Sequence, residues 1–372
     1  MKKIIISAGE ASGDYYAAKL AIELKKITKN KIKIIGFGGE KMKKAGVDVR
    51  INLVKLSIIG FVEVIFKFIQ ILFTFLKTIY IIKNEKPDLL VVIDYPGFHL
   101  NLIKWAKNKW VKKIVYYITP QVWAWDYKRI YKIKKYVDLA IVILPFEKKL
   151  FESENIRVKY FGHPIVEYIL KNKRKIKKEK KINIGLFPGS RNNEIKKIFP
   201  VILKAANLIA NNIKNVNFMI FKSHTVDTKY LLKFFNKNSN LNIKIVDSEN
   251  KYNYFLNCAI IKSGTVSLEV ALLGVPGVVV YKTSFISYLI AKKFLKVKYI
   301  SLPNLILNKM VMKELIQNEL TAHNIFMEIK RILTDAKYRN SMKNDFKNIK
   351  KQLHKKDITK NVAKAILKEA NR

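Results

Sequence analysis

The sequence contains one cysteine, Cys258, among 372 residues. A single thiol cannot form an intramolecular disulfide, and it cannot supply the several thiolates of a structural zinc cluster. Other metal-site signals are also lacking, because no two of the five histidines are four residues apart and no D-x-D string follows an apolar run. We therefore expect a reducing, cytoplasmic environment and a site without metal or cofactor.

Acidic residues are scarce. The chain has 28 Asp and Glu against 72 Lys and Arg, a formal net charge of +44. Such an excess indicates an anionic partner: nucleic acid, a membrane surface or an acidic ligand. A bias in nucleotide composition is an alternative source, since Lys, Asn and Ile are frequent everywhere. No recognised nucleic-acid-binding module is present, so we expect no specific nucleic acid partner, whereas an anionic membrane would attract this charge whatever its origin.

The apolar residues come mostly in short runs separated by helical patterns. The apolar run at residues 4–6 is too short for a secretory signal, and residues 3–7 predict a first buried strand. Further strands are predicted at 31–35, 89–93, 113–118, 139–144, 182–187, 216–221, 243–246, 259–261 and 277–281. Strand–helix alternation of this kind predicts two Rossmann-like, doubly wound α/β domains with parallel sheets.

Charge runs indicate the domain boundaries. Residues 171–181 are rich in Lys and Arg without an apolar period, which is typical of an exposed linker. We therefore predict an N-terminal domain over 1–170 and a C-terminal domain over 182–340. A basic helical tail over 341–372 would pack back on the N-terminal domain or on a partner subunit.

The segment 58–82 is the most apolar part of the chain. Its polar residues lie on one stripe of a helix, at Glu63, Lys67, Gln70, Thr74 and Lys77. Three interpretations remain open: a buried core helix, a helix lying in a membrane interface, or a transmembrane span. For the interfacial helix, we predict that Phe66, Ile69 and Phe73 contact lipid or acyl chains.

Two motifs of the first domain place acids where a strand ends. Residues 8–14 read AGEASGD, and Glu10 and Asp14 follow the first strand. Asp14 is interpreted mainly as a helix N-cap, and Glu10 as a site residue. Residues 93–98 read IDYPGF, so Asp94 ends an apolar strand just before a turn. Since ligands bind at the carboxyl edge of such sheets, Asp94 is a candidate general base, and capping of the following turn is the alternative.

A third motif, TPQVWAW at 119–125, precedes a basic helix. Aromatic side chains such as Trp123 can pack against a sugar ring or an acyl chain, although core packing is the simpler interpretation. Lys128, Arg129, Lys132 and Lys135 are expected to form a solvated helix face.

Three motifs of the second domain suit a nucleotide. Residues 188–191 read PGSR, in which turn amides and Arg191 can bind phosphate oxygens. Residues 263–269 read SGTVSLE, in which Ser263 or Thr265 can cap a helix and Glu269 can accept hydrogen bonds from ribose hydroxyls. The SLPNL string at 301–305 and the downstream Gln317 offer amide groups that suit a base edge.

These strings, with LPFEK at 144–148 and FGHP at 161–164, resemble those of the lipid-A-disaccharide synthases, bacterial glycosyltransferases with the GT-B fold of two domains facing a cleft. Eight strings occur in the family's order, from Ala8 to about Gln317. The sequence also departs from the pattern. His99 stands where Asn is frequent, and Lys262 stands where a small residue is usual.

The resemblance implies an inverting, metal-free transfer of 2,3-diacylglucosamine from UDP to 2,3-diacylglucosamine 1-phosphate on the cytoplasmic face of the inner membrane. Asp94 would be the base, with Glu10 second, while Ser12 and Trp123 would lie near the acceptor. The UDP-binding residues would be Gly189, Ser190, Arg191, Ser263, Gly264, Thr265, Glu269, Asn304 and Gln317. A homodimer is one alternative for the assembly.

Other functions remain alternatives. Another GT-B enzyme acting on UDP-GlcNAc, a peptidoglycan transferase or an epimerase, would share the fold, but the strings at 8–14 and 122–125 disfavour both. A basic protein that binds nucleic acid or membrane without catalysis would share only the charge.

Overall fold

The computed structural model describes residues 2–58, 64–107, 109–124, 126–172, 176, 180–223, 225–235, 241–284, 288 and 297–372, with the side chains of 56–58 and 64–68 excepted. The chain divides into two compact units. Unit 1 comprises Met1–Pro164 and Leu353–Arg372, and unit 2 comprises Ile165–Gln352. The boundary between the two units therefore lies at residue 164, before the expected end of the N-terminal domain at residue 170. The last twenty residues belong to unit 1. Most of the expected linker lies outside the described residues.

Unit 1 is built on a seven-stranded parallel sheet with the order β3-β2-β1-β4-β5-β6-β7. Its strands are β1 Lys2–Ala8, β2 Ile32–Gly38, β3 Asp48–Asn52, β4 Leu89–Ile93, β5 Lys113–Tyr117, β6 Leu139–Val142 and β7 Val158–Tyr160. The central strands β1 and β4 are almost entirely buried, as expected for a sheet covered by helices on both faces.

The described helices of unit 1 follow these strands. They are α1 Ala11–Ile27, α2 Glu40–Lys44, α3 Leu53–Ile58, α4 Val64–Glu85, α5 Pro96–Ala106, α6 Arg129–Tyr136 and α7 Pro145–Ser153. Two apolar clusters, one on each face of the sheet, form the core.

Unit 2 repeats this topology on a six-stranded parallel sheet with the order β10-β9-β8-β11-β12-β13. Its strands are β8 Ile182–Phe187, β9 Val216–Lys222, β10 Ile243–Asp247, β11 Cys258–Lys262, β12 Gly277–Tyr281 and β13 Glu314–Ile316. Its described helices are α8 Pro164–Asn172, α9 Asn192–Asn212, α10 Thr228–Leu232, α11 Thr265–Leu272, α12 Leu302–Leu307, α13 Ala322–Thr334 and α14 Ala336–Leu353.

The end of the chain belongs to the core of unit 1. Helix α15, Ile358–Ala370, packs against α1, and its apolar residues Val362 and Ile366 lie in the same cluster as those of β1. The buried carboxylate of Glu369 accepts two hydrogen bonds from Arg157, at 3.0 and 2.6 Å. A bidentate pair of this kind fixes the orientation of the helix as well as its position.

The apolar segment 58–82 is not one described helix. It contains the end of α3, the undescribed residues 59–63 and most of α4. One side of α4, including Ile71, Phe75 and Ile79, packs against the core. The opposite side exposes large apolar side chains: Ile69, Leu72, Phe73, Leu76 and Tyr80, with Phe73 68% exposed. Among the described residues no helix is both long and apolar enough to cross a bilayer.

Each sheet has a switch point, where the order reverses between two strands whose helices lie on opposite faces. In unit 1 it lies between β1 and β4, where Ala8 is in register with Ile93. In unit 2 it lies between β8 and β11, where Phe187 is in register with Ile261. Within each unit the loops that follow this strand pair therefore lie side by side; they carry Glu10 and Asp94 in unit 1 and the PGSR and SGTVSLE strings in unit 2.

Candidate functional site

In unit 1 the switch point brings Glu10, which follows β1, close to Asp94, which follows β4. Asp94 and Tyr95 both have left-handed backbone conformations, with φ of 53° and 49°. Two consecutive non-glycine residues in this region cost conformational energy, which the surrounding structure must offset. The turn is therefore imposed by its neighbours, as is common at functional sites.

A buried hydrogen-bond network holds this turn. The carbonyl oxygen of Asp94 lies 2.6 Å from Nδ1 of His99, and it accepts a hydrogen bond from the Tyr116 hydroxyl at 3.0 Å. On its other side, Nε2 of His99 lies 2.8 Å from the Ser7 hydroxyl. The side chains of Ser7, His99 and Tyr116 are completely buried. The backbone of Asp94 is thus fixed by residues of β1, α5 and β5.

The carboxyl group of Asp94 has an unusual affinity for protons. Burial, with a smaller contribution from the negative charge of Glu10, raises its pKa to about 7 against the opposing effect of a hydrogen bond from the backbone of Tyr95. A carboxylate with a pKa near neutrality is a better proton acceptor than an ordinary one. The arrangement can therefore remove a proton from a bound hydroxyl group.

Gly9 allows this arrangement because its backbone lies directly against the ring of Tyr95. A Cβ atom at position 9 would overlap Cδ1 of Tyr95. The AGEASGD motif thus needs glycine here for close approach of two loops.

Asp14 acts as a cap, but not of the helix that contains it. Helix α1 begins at Ala11 with Glu10 in the N-cap position. The buried carboxylate of Asp14 instead accepts hydrogen bonds from the backbone N–H groups of Gly39 and Lys41, at 2.7 and 2.9 Å, at the start of α2. Asp14 was expected to cap a helix, which is correct, but it caps α2 rather than α1. Ser12 lies exposed in the first turn of α1.

Trp123 is held by an acid of the LPFEK motif. Its indole Nε1 donates to Oε1 of Glu147 at 2.9 Å, while the backbone N–H groups of Ile143 and Leu144 donate to Oε2. Burial raises the pKa of Glu147 to about 7. The ring also packs edge to face on Phe146. The tryptophan is partly exposed, so one part of it remains available to a ligand.

Two depressions flank the Asp94 turn, and both are bordered by Gly97 and Asn101. The first is apolar, about 420 Å³ in volume, and is lined by side chains of α4 and α5 that include Ile71, Phe75 and Trp105. The second is about 270 Å³ and is lined on one side by uncharged residues of α5 and on the other by charged residues of the segment 126–132.

In unit 2 the PGSR loop follows β8 at the second switch point. Gly189 has φ of 115°, a conformation suited to glycine, and a Cβ atom there would lie 3.2 Å from Oε2 of Glu194. The Ser190 carbonyl accepts a hydrogen bond from the Thr225 hydroxyl at 2.8 Å. Arg191 is 77% exposed, and its NH1 group lies 3.9 Å from Glu194. The Arg191 guanidinium is thus accessible from solvent.

Lys262, at the end of β11, lies beside the same loop. Its Nζ is 2.9 Å from Oε1 of Glu194, and it lies over the ring of Tyr281. The buried Oε2 of Glu194 has no hydrogen-bond partner among the described residues. An uncompensated acid at this position would repel a phosphate group. The lysine that departs from the family pattern therefore neutralises Glu194.

The SGTVSLE loop caps its helix differently from the expectation. The N-cap of α11 is Gly264, and no side chain caps the helix. The Ser263 hydroxyl donates instead to the Ile300 carbonyl at 2.9 Å, and Thr265 is exposed. Glu269 pairs with Lys251 at 2.7 Å and accepts from the Tyr252 hydroxyl at 3.0 Å. Oε2 of this carboxylate is thus already engaged within unit 2.

The amide groups expected to meet a base are engaged within their own loops. Asn304 is fully buried, and its Oδ1 accepts from the backbone N–H groups of Val311 and Met312, at 2.8 and 2.9 Å. Its Nδ2 donates to Glu314 and to the Met312 carbonyl, at 2.8 Å each. The Gln317 Oε1 accepts from the Thr283 N–H at 2.7 Å. These side chains therefore shape the loops that follow β12 and β13.

Sequence reasoning missed the contacts made by Ser7, Glu194 and Tyr116, and it noted His99 and Lys262 only as departures from a family pattern. The contacts of Ser7 with His99, of Tyr116 with Asp94 and of Lys262 with Glu194 join elements far apart in the chain, so no local spacing signals them. The described residues contain no group of three His, Cys, Asp or Glu that could hold a metal ion.

Comparison with known proteins decides the family. The family model described as lipid-A-disaccharide synthetase matches residues 4–369. The chain belongs to the lipid-A-disaccharide synthase family. It is 36% identical over 373 residues to the lipid-A-disaccharide synthase of Coxiella burnetii strain RSA 331, and 37% identical over 384 residues to that of Persephonella marina; both comparisons cover 98% of each chain. The resemblance and the predicted glycosyltransferase class are confirmed.

Solved structures confirm the fold. The structure of Staphylococcus aureus MnaA with UDP aligns with a TM-score of 0.71 at 14% identity, covering 100% of this chain and 97% of that one. The calicheamicin glycosyltransferase CalG4 aligns with a TM-score of 0.62 at 13% identity, covering 100% and 99%. This chain therefore shares the GT-B type of fold with these proteins.

Proposed function

We propose that the chain transfers 2,3-diacylglucosamine from UDP to the 6-hydroxyl of 2,3-diacylglucosamine 1-phosphate. The products are the β-1,6-linked disaccharide 1-phosphate and UDP. Family membership supports this reaction. The single observation that carries its mechanism is Asp94, a half-buried carboxyl group with a pKa raised to about 7 on a turn fixed by buried hydrogen bonds.

Asp94 is the general base of this proposal. It accepts the proton of the acceptor's 6-hydroxyl as the oxygen attacks the anomeric carbon of the donor, and the bond from that carbon to the diphosphate breaks. Displacement from the opposite face inverts the configuration. A positioned base contributes about 10²–10⁴-fold to such a step. Glu10 raises the basicity of Asp94 and is the second candidate for the base.

Unit 2 binds UDP in this proposal. Gly189 and Ser190 offer backbone amides to the diphosphate, and Arg191 stabilises the negative charge that develops on it as the bond breaks. Lys262 contributes by cancelling the charge of Glu194. Support comes from the exposure of Arg191 and from the ion pair of Lys262 and Glu194 at the switch point.

Glu269 and Asn304 remain candidates for the ribose and base sites, together with Ser263, Gly264, Thr265 and Gln317. The hydrogen bonds that Ser263, Asn304 and Gln317 make within unit 2 would hold the loops of the proposed nucleotide site in place. The contacts of Glu269 with Tyr252 and Lys251 are both made by Oε2, so Oε1 is the oxygen that would accept from a ribose hydroxyl.

We further propose that the protein acts as a peripheral protein on an anionic membrane, at the cytoplasmic face of the inner membrane. Both substrates carry acyl chains. The exposed apolar side of α4, which includes Ile69 and Phe73, would contact lipid, and the net charge of +44 would strengthen binding to acidic head groups. The predicted third contact, Phe66, has a side chain outside the described residues. A homodimer stays an untested alternative.

The test is a reaction with defined substrates. Purified protein is incubated with UDP-2,3-diacylglucosamine and 2,3-diacylglucosamine 1-phosphate in neutral detergent micelles, and the products are analysed by mass spectrometry. The expected products are UDP and a disaccharide monophosphate carrying four acyl chains. UDP-GlcNAc in place of the acylated donor should give no disaccharide. Free sugar and UDP without a disaccharide would contradict the proposal.

A further inference from the structure

A basic depression lies beside the Asp94 turn, and none of its lining residues has a role in the proposed transfer. Lys128, Arg129 and Lys132 line it from the start of α6, and Asn101 lines it from α5. Its volume is about 270 Å³. The three cations were expected to form a solvated helix face. Instead they converge on one concave surface that Pro96 and Gly97 close on the side of the turn.

The charges of this depression are not balanced. Among the described residues Asp126 is its one lining carboxylate, and it pairs with Nε of Arg129 at 2.7 Å. Within the described part of the chain, neither Lys128 nor Lys132 has a carboxylate within ion-pair distance, and both are exposed. Three cations against one anion leave a net charge of about two, which matches the charge of about −1.5 to −2 on a phosphate monoester at neutral pH.

The position of the depression suits a substrate group. It shares Gly97 and Asn101 with the apolar depression lined by α4 and α5. Arg129 also lies within electrostatic range of Tyr116, whose hydroxyl donates to the backbone of Asp94. One turn is therefore bordered by a candidate base, an apolar surface and a cluster of cations. A lipid acceptor carries the matching three groups: a hydroxyl, acyl chains and a phosphate.

We propose that Lys128, Arg129 and Lys132, with the amide of Asn101, form the binding site for the phosphate group of the acceptor. This inference rests on the proposed function and names the part of unit 1 that recognises the acceptor. The guanidinium and the two ammonium groups supply charge-assisted hydrogen bonds to the phosphate oxygens. The cluster selects a phosphorylated acceptor over the same sugar with a free anomeric hydroxyl.

The chemistry of a phosphate ester is shared by the acceptor and by phospholipid head groups, so the experiment has one arm for each. The first arm measures kinetics in neutral detergent micelles, where no anionic lipid is present. The variant is Lys128→Gln with Lys132→Gln. The matched control is Lys134→Gln with Lys135→Gln, which removes the same charge from residues of α6 that do not line the depression.

The expected result is a rise of about tenfold or more in KM for 2,3-diacylglucosamine 1-phosphate in the variant, since two charge-assisted contacts are lost. The KM for the UDP-sugar should not change. Activity with dephosphorylated 2,3-diacylglucosamine should also be unchanged, so the preference for the phosphorylated acceptor shrinks. The control pair should behave like the wild type. Where the dephosphorylated acceptor is too poor to measure, competitive inhibition by glucosamine 1-phosphate against glucosamine gives the same comparison.

The second arm measures co-sedimentation with vesicles of phosphatidylcholine and phosphatidylglycerol. Acceptor recognition predicts equal, small losses of vesicle binding in the variant and the control. A much larger loss in the variant, with an unchanged preference between the two acceptors, would assign the cluster to lipid head groups and overturn the inference. An active wild type whose variant keeps the full phosphate preference would also overturn it. A wild type that forms no disaccharide contradicts the proposed function itself, and the inference with it.

Discussion

The imidazole of His99 is hydrogen-bonded to the hydroxyl of Ser7, with Nε2 and Oγ 2.8 Å apart. The other ring nitrogen, Nδ1, faces the carbonyl oxygen of Asp94, which can only accept, so Nδ1 must carry the proton. Burial lowers the pKa of His99 to about 4, so the ring is neutral near pH 7. Nε2 then accepts from Ser7. One neutral histidine thus fixes the turn that carries the candidate base.

The first prediction concerns this network. His99→Leu keeps much of the volume but leaves the Ser7 hydroxyl without its partner and the Asp94 carbonyl with only Tyr116. The free energy of unfolding should fall by about 1–3 kcal/mol, and turnover should fall as the turn relaxes. Ser7→Ala breaks only the outer hydrogen bond and should cost about 1 kcal/mol. Urea unfolding followed by circular dichroism measures both. Equal stability of His99→Leu and the wild type would contradict the account.

The second prediction concerns the pH dependence of kcat/KM. Only ionised Asp94 can accept a proton, and its pKa is about 7. The rate should therefore rise with pH up to about 7 and then level off. Glu10→Gln removes a neighbouring negative charge, which lowers the pKa of Asp94 and shifts this rise to lower pH. Glu147→Gln is the control. Glu147 also has a pKa of about 7, but it is hydrogen-bonded to Trp123 and does not contribute to the pKa of Asp94, so its loss should leave the profile in place. An unshifted profile in Glu10→Gln would exclude the coupling.

The sequence predicts the central strands well because they are buried on both faces. Strands β4, β8 and β12 coincide with the predicted runs at 89–93, 182–187 and 277–281. Strands β3, β7 and β13 were not predicted, and all three lie at sheet edges. β3 and β7 are poorly covered and carry polar residues such as Asp48, Arg50 and Lys159, so the apolar pattern disappears. β13 is mostly buried, but it has only three residues and begins with Glu314. The edge strand β10 was nevertheless predicted, so apolar content and strand length, rather than position in the sheet, decide which strands the sequence reveals.

The candidate site was predictable only in part. Glu10 and Asp94 follow strands that neighbour each other in a doubly wound sheet, so topology alone brings them together. The Ser7–His99 contact spans 92 positions and has no local signal. For Asn304, by contrast, the sequence suggested a role that the folded structure decides. Its amide suits a base by type, but whether its hydrogen bonds are made inside the loop depends on the folded backbone.

The third prediction concerns Lys262 and Glu194. Arg191→Ala should weaken UDP binding by about 10- to 200-fold through the loss of a charge-assisted pair. Lys262→Met should also weaken UDP binding, because Glu194 is then left uncompensated beside the diphosphate. Adding Glu194→Gln to Lys262→Met should restore most of the affinity. Isothermal titration calorimetry with UDP measures all three.

Uridine provides the control for that cycle, since it lacks phosphate and should bind all variants alike. Failure of Glu194→Gln to restore UDP affinity would contradict a role of Lys262 through Glu194 and would assign it a direct contact with the diphosphate.

The fourth prediction concerns α4. Replacement of Ile69, Phe73 and Leu76 by Ser should release the protein from anionic vesicles while the chain stays folded, because these side chains lie on its exposed apolar side. The matched change of Ile71 and Phe75, which pack against the core, should instead unfold the chain. Vesicle flotation and thermal unfolding measure the two effects. A triple variant that stays on the vesicles would contradict the interfacial role.

The central claim is that Asp94 takes the proton of the acceptor, and Asp94→Asn tests it most directly. Asparagine keeps the shape and tolerates the same left-handed backbone, so the turn should persist. Single-turnover rates should fall by about 10²–10⁴-fold, the usual contribution of a positioned base. The affinity for the UDP-sugar should be unchanged. If Asp94→Asn instead keeps most of its activity while Glu10→Gln loses it, Glu10 is the base and the account of Asp94 is wrong.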